Sequence, residues 1–389
     1  EEVPDVREAF VRLREKMERG EYREAGWEIV NALGEKGYGS RLETHIPLAR
    51  LVVMQDPVRG FRHFERTLDM SRALACQQWE DEEIRMCREV FVSRPRDVAV
   101  YRISARPLEE STPGGGKAPR GEGPAAGDWR ECLRYELRLG EYVNEGQPPT
   151  EALKGVWKAS RTRVVCEGDA AYLFFSSERE GKSGPEKFGA VTRVTIGEGR
   201  MEISRDILRI SGADEILAVT AVWDQGSEES AVEKLQDLPG YEELLRESVP
   251  LHEALYRSAE LSLGGGQGDR PNEDLTAEAF SDRQSVELIE KLWHFGRYLF
   301  ICGSSPQSNP FPLYGLWGGS HRPQWCHNMA NENLQMIYWH SLCGNLAEYN
   351  EAVFRYMNDR VPAFRDNGRK LFGIDGIYMT AGTTPGVSS

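Results

Sequence analysis

The residues best suited to chemistry lie together between positions 315 and 339. This stretch holds three tryptophans, two histidines and several carboxamides. Indole rings stack on the C–H faces of sugar rings, while amides and imidazoles hydrogen-bond to hydroxyl edges. The composition therefore predicts a site for a polyhydroxylated ring. The alternative is that Trp317, Trp325 and Trp339 are core aromatics and that Asn331 caps a helix.

Other kinds of site have weaker support. His321 and His327 lie six residues apart beside Cys326, and this pair lacks a further ligand at the spacing of a zinc site. Residues 264–268 are Gly-Gly-Gly-Gln-Gly but lead to Asp-Arg-Pro rather than into a helix, which indicates a linker instead of a phosphate loop. Residues 303–305 lack the flanking pattern of a nucleophile elbow. We therefore expect no metal and no cofactor.

Composition narrows the possible partners. The chain has 389 residues, of which 40% are hydrophobic and 28% charged, so we expect two or more folded domains. Acidic side chains outnumber basic ones by 62 to 48, and a net charge of -14 disfavours binding to nucleic acid. No apolar run approaches the ~20 residues of a membrane-spanning helix. We expect neither a nucleic-acid nor a membrane partner.

The number and spacing of the cysteines indicate the cellular compartment. All 7 are widely spaced, and their odd number and lack of a C-x-x-C pair argue against a disulfide framework. Scattered thiols suit a reducing compartment, so we expect a cytoplasmic location. Position 1 is Glu rather than Met. The beginning of the protein could therefore be missing, which leaves secretion as the alternative.

The periodicity of apolar residues divides the chain into three parts. We expect a β-sandwich domain with short N-terminal helices over 1–226, a helical linker over 227–283 and an all-α domain over 284–389. Helical spacing occurs at 6–17 and 25–33, and a loop rich in Gly and Pro at 108–128. The strand-like runs are at 45–54, 85–92, 98–103, 171–175, 190–196 and 216–223.

Linker helices and three further helices are predicted after the sandwich. Linker helices lie within 241–256. The helix over 285–301 has apolar residues around so much of its circumference that we expect burial on most sides. Another runs through 334–339. Asn345 is a plausible cap for the last, over 346–357.

Three passages near the candidate site resemble a segment of glycoside hydrolase family 95. They are P-L-Y-G-L-W at 312–317, P-Q-W at 323–325 and N-E-N-L-Q-M-I-Y-W at 331–339. The corresponding family segment is roughly L-Q-G-I-W-N, P-P-W and N-I-N-L-Q-M-N-Y-W. Further similarities, in the family's order, occur at 88–93, 211–215, 293–301 and 302–306. The resemblance spans nearly the whole chain, and the block from 293 to 339 is specific.

This resemblance implies a fold and an activity. The fold is an antiparallel β-sandwich, a helical linker and an (α/α)6 barrel, of which residues 284–389 would supply the first helices. The activity is hydrolysis of a terminal α-linked sugar of a glycan by an exo-acting, inverting enzyme of the α-L-fucosidase type. Alternatives are an α-L-galactosidase, another α-glycosidase of the same fold, or a truncated or non-catalytic carbohydrate-binding protein.

The resemblance also implies roles for residues. Asn331 and Asn333 match the two asparagines that orient the attacking water, and Trp325 matches an aromatic of the sugar-binding loop. The other candidates for substrate binding are Trp317, His321, His327 and Glu332. Glu332 replaces an apolar residue of the family motif, and its alternative role is that of an acid favoured by the helix dipole. The family's general acid and water-activating Asp are expected beyond Ser389.

One passage departs from the family. Where many members have H-H-N-T-D, this chain has Gly-Ile-Tyr-Met-Thr-Ala-Gly-Thr-Thr at 376–384. The loss of these histidines weakens the expectation that the sugar is L-fucose.

Overall fold

The computed structural model describes most of the chain. The described residues are 3–39, 47–56, 62–81, 84–108, 129–143, 148, 151–181, 184–224, 226–264, 270–281, 283, 285–318, 325 and 327–385. The loop predicted over 108–128 lies almost entirely outside this part of the chain, and His321 and Cys326 also lie outside it.

Helices and strands alternate in blocks along the sequence. The described helices are α1 (Arg7–Glu18), α2 (Tyr22–Ala25), α3 (Glu28–Glu35), α4 (Glu151–Ala159), α5 (Glu228–Gln236), α6 (Tyr241–Tyr256), α7 (Asn272–Phe280), α8 (Val286–Gly303), α9 (Asn333–Cys343), α10 (Asn350–Asn358) and α11 (Val361–Phe372). The described strands are β1 (Arg50–Gln55), β2 (Arg62–Asp69), β3 (Leu74–Asp81), β4 (Ile84–Ser93), β5 (Val98–Pro107), β6 (Arg134–Gly140), β7 (Arg161–Glu167), β8 (Ala170–Gly181), β9 (Gly184–Ile196), β10 (Arg200–Ser204), β11 (Ile207–Ser211), β12 (Glu215–Asp224), β13 (Asn328–Met329) and β14 (Gly382–Thr383). None of the described helices is both long and apolar enough to cross a membrane.

The elements belong to two compact units. One unit is Pro47–Arg257, and the other combines Glu1–Ile46 with Ser258–Ser389. The N-terminal helices thus group with the C-terminal helices, whereas the sequence pattern predicts them as part of the sandwich domain. The domain boundaries expected after 226 and 283 stay predictions.

Two antiparallel sheets form the unit Pro47–Arg257. The larger sheet has eight strands in the order β2-β3-β4-β5-β12-β9-β8-β7, and the smaller has four in the order β1-β6-β11-β10. Strand β6 packs against β8 and β9 of the larger sheet. Leu137 and Leu139 of β6 are buried, as are Leu173 and Phe175 of β8, at the period of two that gives a strand one apolar face. The predicted antiparallel β-sandwich is confirmed.

Helices cover the other face of the eight-stranded sheet. Helix α5 packs against β12 and β9, and α6 packs against β4. Phe91 and Tyr241 meet edge to face, with ring centroids 5.8 Å apart, within a buried cluster that includes Trp223 and Leu235. The first part of the predicted linker therefore lies on the sandwich.

The N-terminal helices pack against the end of the chain. Helix α1 contacts α11, where the Val6 N–H donates to the Lys370 carbonyl at 2.9 Å. Phe10 and Phe372 meet edge to face at 5.1 Å between ring centroids. Local signals set the ends of these helices: Gly373 ends α11 in the left-handed conformation, with φ 67°.

Three predictions about the helical part are wrong. Helix α8 is not buried on most sides, because Leu292 is 59% exposed and three further apolar side chains, Val286, Ile289 and Phe295, also face solvent. Asn345 does not cap a helix: it has φ 55°, and its amide donates to the Ser258 carbonyl at 3.2 Å. The part expected to be all-α also contains the antiparallel pair β13 and β14.

Candidate functional site

An aromatic cluster anchors the loop that follows α8. Phe300 lies at its centre, with its ring centroid 5.0 Å from that of Tyr338 and 5.3 Å from that of Tyr349. The Tyr338 hydroxyl accepts a hydrogen bond from the Phe311 backbone N–H at 2.9 Å and lies 3.1 Å from Ser304 Oγ. Helix α9 therefore fixes both ends of the segment 304–311.

Trp317 is held along one side and exposed along the other. Its ring centroid lies 5.9 Å from that of Phe311, and its side chain is 50% exposed. Gly315 has φ 57°, and a Cβ there would lie 2.7 Å from the indole ring. Glycine is required on both counts, because the backbone is left-handed and the indole occupies the space of a side chain. Trp317 is therefore not a core aromatic.

Trp325 and His327 form a second exposed aromatic pair. Their ring centroids are 6.3 Å apart at an interplanar angle of 45°, and Trp325 is 49% exposed. Trp325 also has φ 61°, a left-handed conformation that costs an L-residue roughly 1–2 kcal/mol. Burial lowers the pKa of the His327 imidazole below its ordinary value, so the ring is neutral near pH 7. Strained backbone beside an exposed indole is typical of ligand-binding positions.

A short antiparallel pairing holds the backbone between Trp325 and Asn331. Asn328 of β13 pairs with Thr383 of β14, and the Ala330 N–H donates to the Ala381 carbonyl at 2.6 Å. The Gln335 side chain of α9 donates to the Ala330 carbonyl, also at 2.6 Å. The segment is thus fixed from both sides just before the candidate asparagines.

A buried arginine just before α11 supports β14. Arg360 is 9% exposed, and its guanidinium donates to the carbonyls of Tyr356, Thr384 and Pro385 at 2.9, 3.2 and 2.8 Å. It also lies over the Tyr356 ring, 3.5 Å from its centroid. The Tyr356 hydroxyl donates to Thr383 Oγ1 at 3.0 Å. These contacts fix the strand against which β13 pairs.

The motif Asn331-Glu332-Asn333 forms the entry to α9. Asn331 and Glu332 are exposed, and Asn333 is half-buried as the first residue of the helix. Among the described residues, neither carboxamide has a hydrogen-bond partner in the protein. Glu332 occupies the N-cap position but makes no side-chain capping bond. Both amides are free to bind water or a hydroxyl group, and Asn331 does not cap the helix.

The predicted residues divide into three groups. Trp325 and His327 contact one another, and Asn331, Glu332 and Asn333 are consecutive at the start of α9. Trp317 packs on Phe311, and His321 lies outside the described residues. Among the described residues no group of three or more His, Cys, Asp or Glu side chains could hold a metal ion.

Sequence reasoning missed the residues that hold this segment in place. Gln335 and Tyr338 are part of the motif that was recognised, but their hydrogen bonds to Ala330 and Phe311 could not be inferred from spacing. The role of Arg360 at β14 could not be inferred from the sequence, because the Thr384 and Pro385 carbonyls that it binds lie 24 and 25 positions away.

Two parts of the chain match known protein families. Residues 240–386 match the glycosyl hydrolase family 95 catalytic domain, and residues 2–112 match the N-terminal domain of glycosyl hydrolase family 65. Over residues 240–386 the chain is therefore similar to family 95 enzymes. All the candidate residues described above lie within the matched catalytic region.

Two curated proteins are similar to this chain in sequence. It is 35% identical over 141 residues to alpha-L-fucosidase 2 of Arabidopsis thaliana, which is 35% of this chain and 16% of that protein. It is 26% identical over 359 residues to the probable alpha-fucosidase A of Aspergillus niger, which is 90% of this chain and 42% of that protein. The chain thus spans less than half the length of either relative.

A solved structure resembles this chain in fold. The putative kojibiose phosphorylase from human microbiome superposes with a TM-score of 0.50 at 12% identity, covering 87% of this chain and 42% of that one. At this identity the likeness concerns the fold alone. The fold is an antiparallel sandwich followed by the beginning of a helical barrel.

Proposed function

We propose that this chain belongs to an exo-acting glycoside hydrolase that removes a terminal α-linked sugar with inversion, with α-L-fucosides as the preferred class. The match of residues 240–386 to the family 95 catalytic domain supports the reaction class. The choice of sugar is supported by the similarity to alpha-L-fucosidase 2 of Arabidopsis thaliana and to the probable alpha-fucosidase A of Aspergillus niger.

The observation that carries the proposal is the pair Trp325 and His327. A half-exposed indole offers a flat apolar face to the C–H groups of a sugar ring. The neutral imidazole of His327, 6.3 Å away between centroids, can donate to one sugar hydroxyl and accept from another. Trp317 offers a second half-exposed indole for the same type of ligand.

The two asparagines act on the attacking water. An inverting hydrolase needs a water on the face of the sugar opposite the leaving group. The carboxamide oxygens of Asn331 and Asn333 have no protein partner among the described residues, so they can accept the water's O–H groups and orient its lone pair. This is positioning rather than acid–base chemistry. Glu332, exposed between them, is assigned to sugar hydroxyls.

Hydrolysis of nitrophenyl glycosides tests the proposal. The protein that carries this chain is incubated with α-L-fucoside, α-L-galactoside and a set of other α-glycosides, and proton NMR records which anomer forms first. We expect release of nitrophenol from the α-L-fucoside and initial formation of the β-anomer. Retention of configuration would contradict the inverting mechanism. Calorimetric binding of free L-fucose without hydrolysis of any glycoside would instead favour a non-catalytic carbohydrate-binding protein.

A further inference from the structure

Two cysteine thiols touch one another on the sandwich. Cys76 of β3 and Cys87 of β4 have their sulfur atoms 3.4 Å apart. In the β3–β4 register Cys87 lies opposite Gln78, and Cys76 lies opposite Glu89. The cysteines are therefore diagonal neighbours on one face of the eight-stranded sheet. Both are half-buried and present as free thiols.

We propose that Cys76 and Cys87 form a peroxide-sensitive thiol pair that closes into a disulfide between β3 and β4. The sulfurs have to approach by roughly 1.4 Å to reach the ~2.05 Å of an S–S bond. Rotation of two neighbouring side chains supplies part of this movement. Strand β3 is separated from the edge of the sheet by β2 alone, which leaves it room to adjust.

The reaction needs only hydrogen peroxide as oxidant. The Cys76 thiolate attacks a peroxide oxygen, an S–O bond forms, the O–O bond breaks, and the departing hydroxide takes up a proton to become water. The Cys87 sulfur then attacks the sulfenic sulfur of Cys76. An S–S bond forms, the S–O bond breaks, and a second water leaves with the proton of Cys87. Two thiols lose two electrons, and one peroxide is reduced to two waters.

The surroundings of the two sulfurs favour this order of events. Desolvation, followed by the contact with Cys76 and the charge of Glu89, raises the pKa of the Cys87 thiol to about 12. Arg102 opposes this shift but does not cancel it. Cys87 therefore stays protonated at neutral pH, which leaves Cys76 to react first with peroxide. Cys87 gives up its proton only as it attacks the sulfenic sulfur, which lies next to it.

Peptide mapping after oxidation tests the pair directly. The protein is treated with one equivalent of hydrogen peroxide, then with dimedone, which traps sulfenic acids, and is digested with trypsin. Cleavage after Arg72, Arg85 and Arg88 places the two cysteines on separate peptides. We expect a linked pair of these peptides that lacks two hydrogen atoms. It should separate on treatment with dithiothreitol.

Variants distinguish the two thiols. In Cys87→Ser the sulfenic acid has no resolving partner, so dimedone should label Cys76. In Cys76→Ser we expect Cys87 to remain an unmodified thiol. Cys166→Ser, which changes an exposed cysteine, should leave the linked peptides unaltered. Dimedone labelling of Cys76 in the unmutated protein would overturn the proposal, and so would intact thiols at both positions while Cys166 is oxidised.

Thermal unfolding gives a second measurement. A cross-link restricts the unfolded chain, so the oxidised protein should unfold at a higher temperature than the reduced one. The increase should disappear in Cys76→Ser and after dithiothreitol. An equal increase in Cys76→Ser would assign the effect to other cysteines and contradict the proposal.

Discussion

Tyr338 hydrogen-bonds to the backbone of Phe311 across 27 positions of sequence, its hydroxyl accepting the Phe311 N–H at 2.9 Å. The same hydroxyl lies 3.1 Å from Ser304 Oγ. The Tyr338 side chain thus links helix α9, which begins at the candidate asparagines, to the loop that leads to Trp317. Three polar groups share this buried position, so each depends on the other two.

Removing this hydroxyl should destabilise the helical unit. Tyr338→Phe leaves the Phe311 N–H without its partner, and an unsatisfied buried donor costs about 1–3 kcal/mol. Urea denaturation followed by circular dichroism measures the change in the free energy of unfolding. Tyr314→Phe, at a side chain that is 45% exposed, is the matched control and should change it by less than about 0.5 kcal/mol. Equal effects of the two variants would contradict this account.

Trp325 should matter for sugar binding and not for folding. In Trp325→Gly the left-handed backbone is relaxed while the contact with His327 is lost. We expect these effects to offset one another within about 1 kcal/mol of unfolding free energy. Titration calorimetry with L-fucose should show loss of binding. The control is Trp339→Ala, another indole, 69% exposed, and it should keep the affinity.

The water-positioning role predicts a specific kinetic effect. Asn333→Ala should lower kcat by about 10²-fold, because a misplaced nucleophile loses the advantage of orientation. KM and the melting temperature should remain near their original values, since the Asn333 side chain makes no protein hydrogen bond among the described residues. Asn358→Ala, at an exposed asparagine that ends α10, is the control. An unchanged kcat would remove Asn333 from the mechanism.

Arg360 should hold the β13–β14 pairing closed. Arg360→Met removes the hydrogen bonds that the charged guanidinium donates to three carbonyls. Each of these bonds stabilises the fold by about 1.5–3 kcal/mol, and this loss is partly offset because the variant no longer buries a charge. We expect the Ala330 amide, which donates to Ala381, to exchange faster with deuterium. Hydrogen exchange measured by mass spectrometry reports this directly. Arg365→Met, at an exposed arginine of α11, should leave the exchange unchanged.

His327 should make stability depend on pH. Its pKa is lowered in the folded protein by burial, so the unfolded chain binds the proton more readily. This contribution to stability is fully present above the ordinary histidine pKa of about 6.5 and is lost as the pH falls from there toward the folded value. Melting curves between pH 5 and 8 should therefore be less pH-dependent in His327→Gln. An NMR titration that placed the His327 pKa above its ordinary value would contradict the assignment.

Local patterns predicted the sandwich well and the packing of the helices poorly. The short, largely apolar runs at 171–175 and 190–196 could be found in the sequence, and they form the buried parts of β8 and β9. The apolar circumference of α8 does not reveal which sides have a neighbour, and Leu292 is exposed. Asn345 takes the left-handed conformation, which asparagine tolerates as well as the capping position.

The candidate site was predictable only where its residues are contiguous. Trp325, His327 and Asn331 stand in one stretch of sequence, and their types pointed to a sugar. The support from Arg360 and Thr383 depends on pairing between distant segments, which no local pattern encodes. Likewise, the space that Gly315 leaves for Trp317 depends on the path of a loop.

The pairing of β13 with β14 closes a long loop of chain. Asn328 and Thr383 lie about 55 positions apart, and α9, α10 and α11 lie between them. The entropic cost of joining two chain ends rises with the logarithm of the separation, and two paired residues on each side offer little to offset it. The three helices must therefore form first to bring these ends together. The asparagine motif, which follows β13 directly, should therefore be among the last parts of this unit to become ordered during folding.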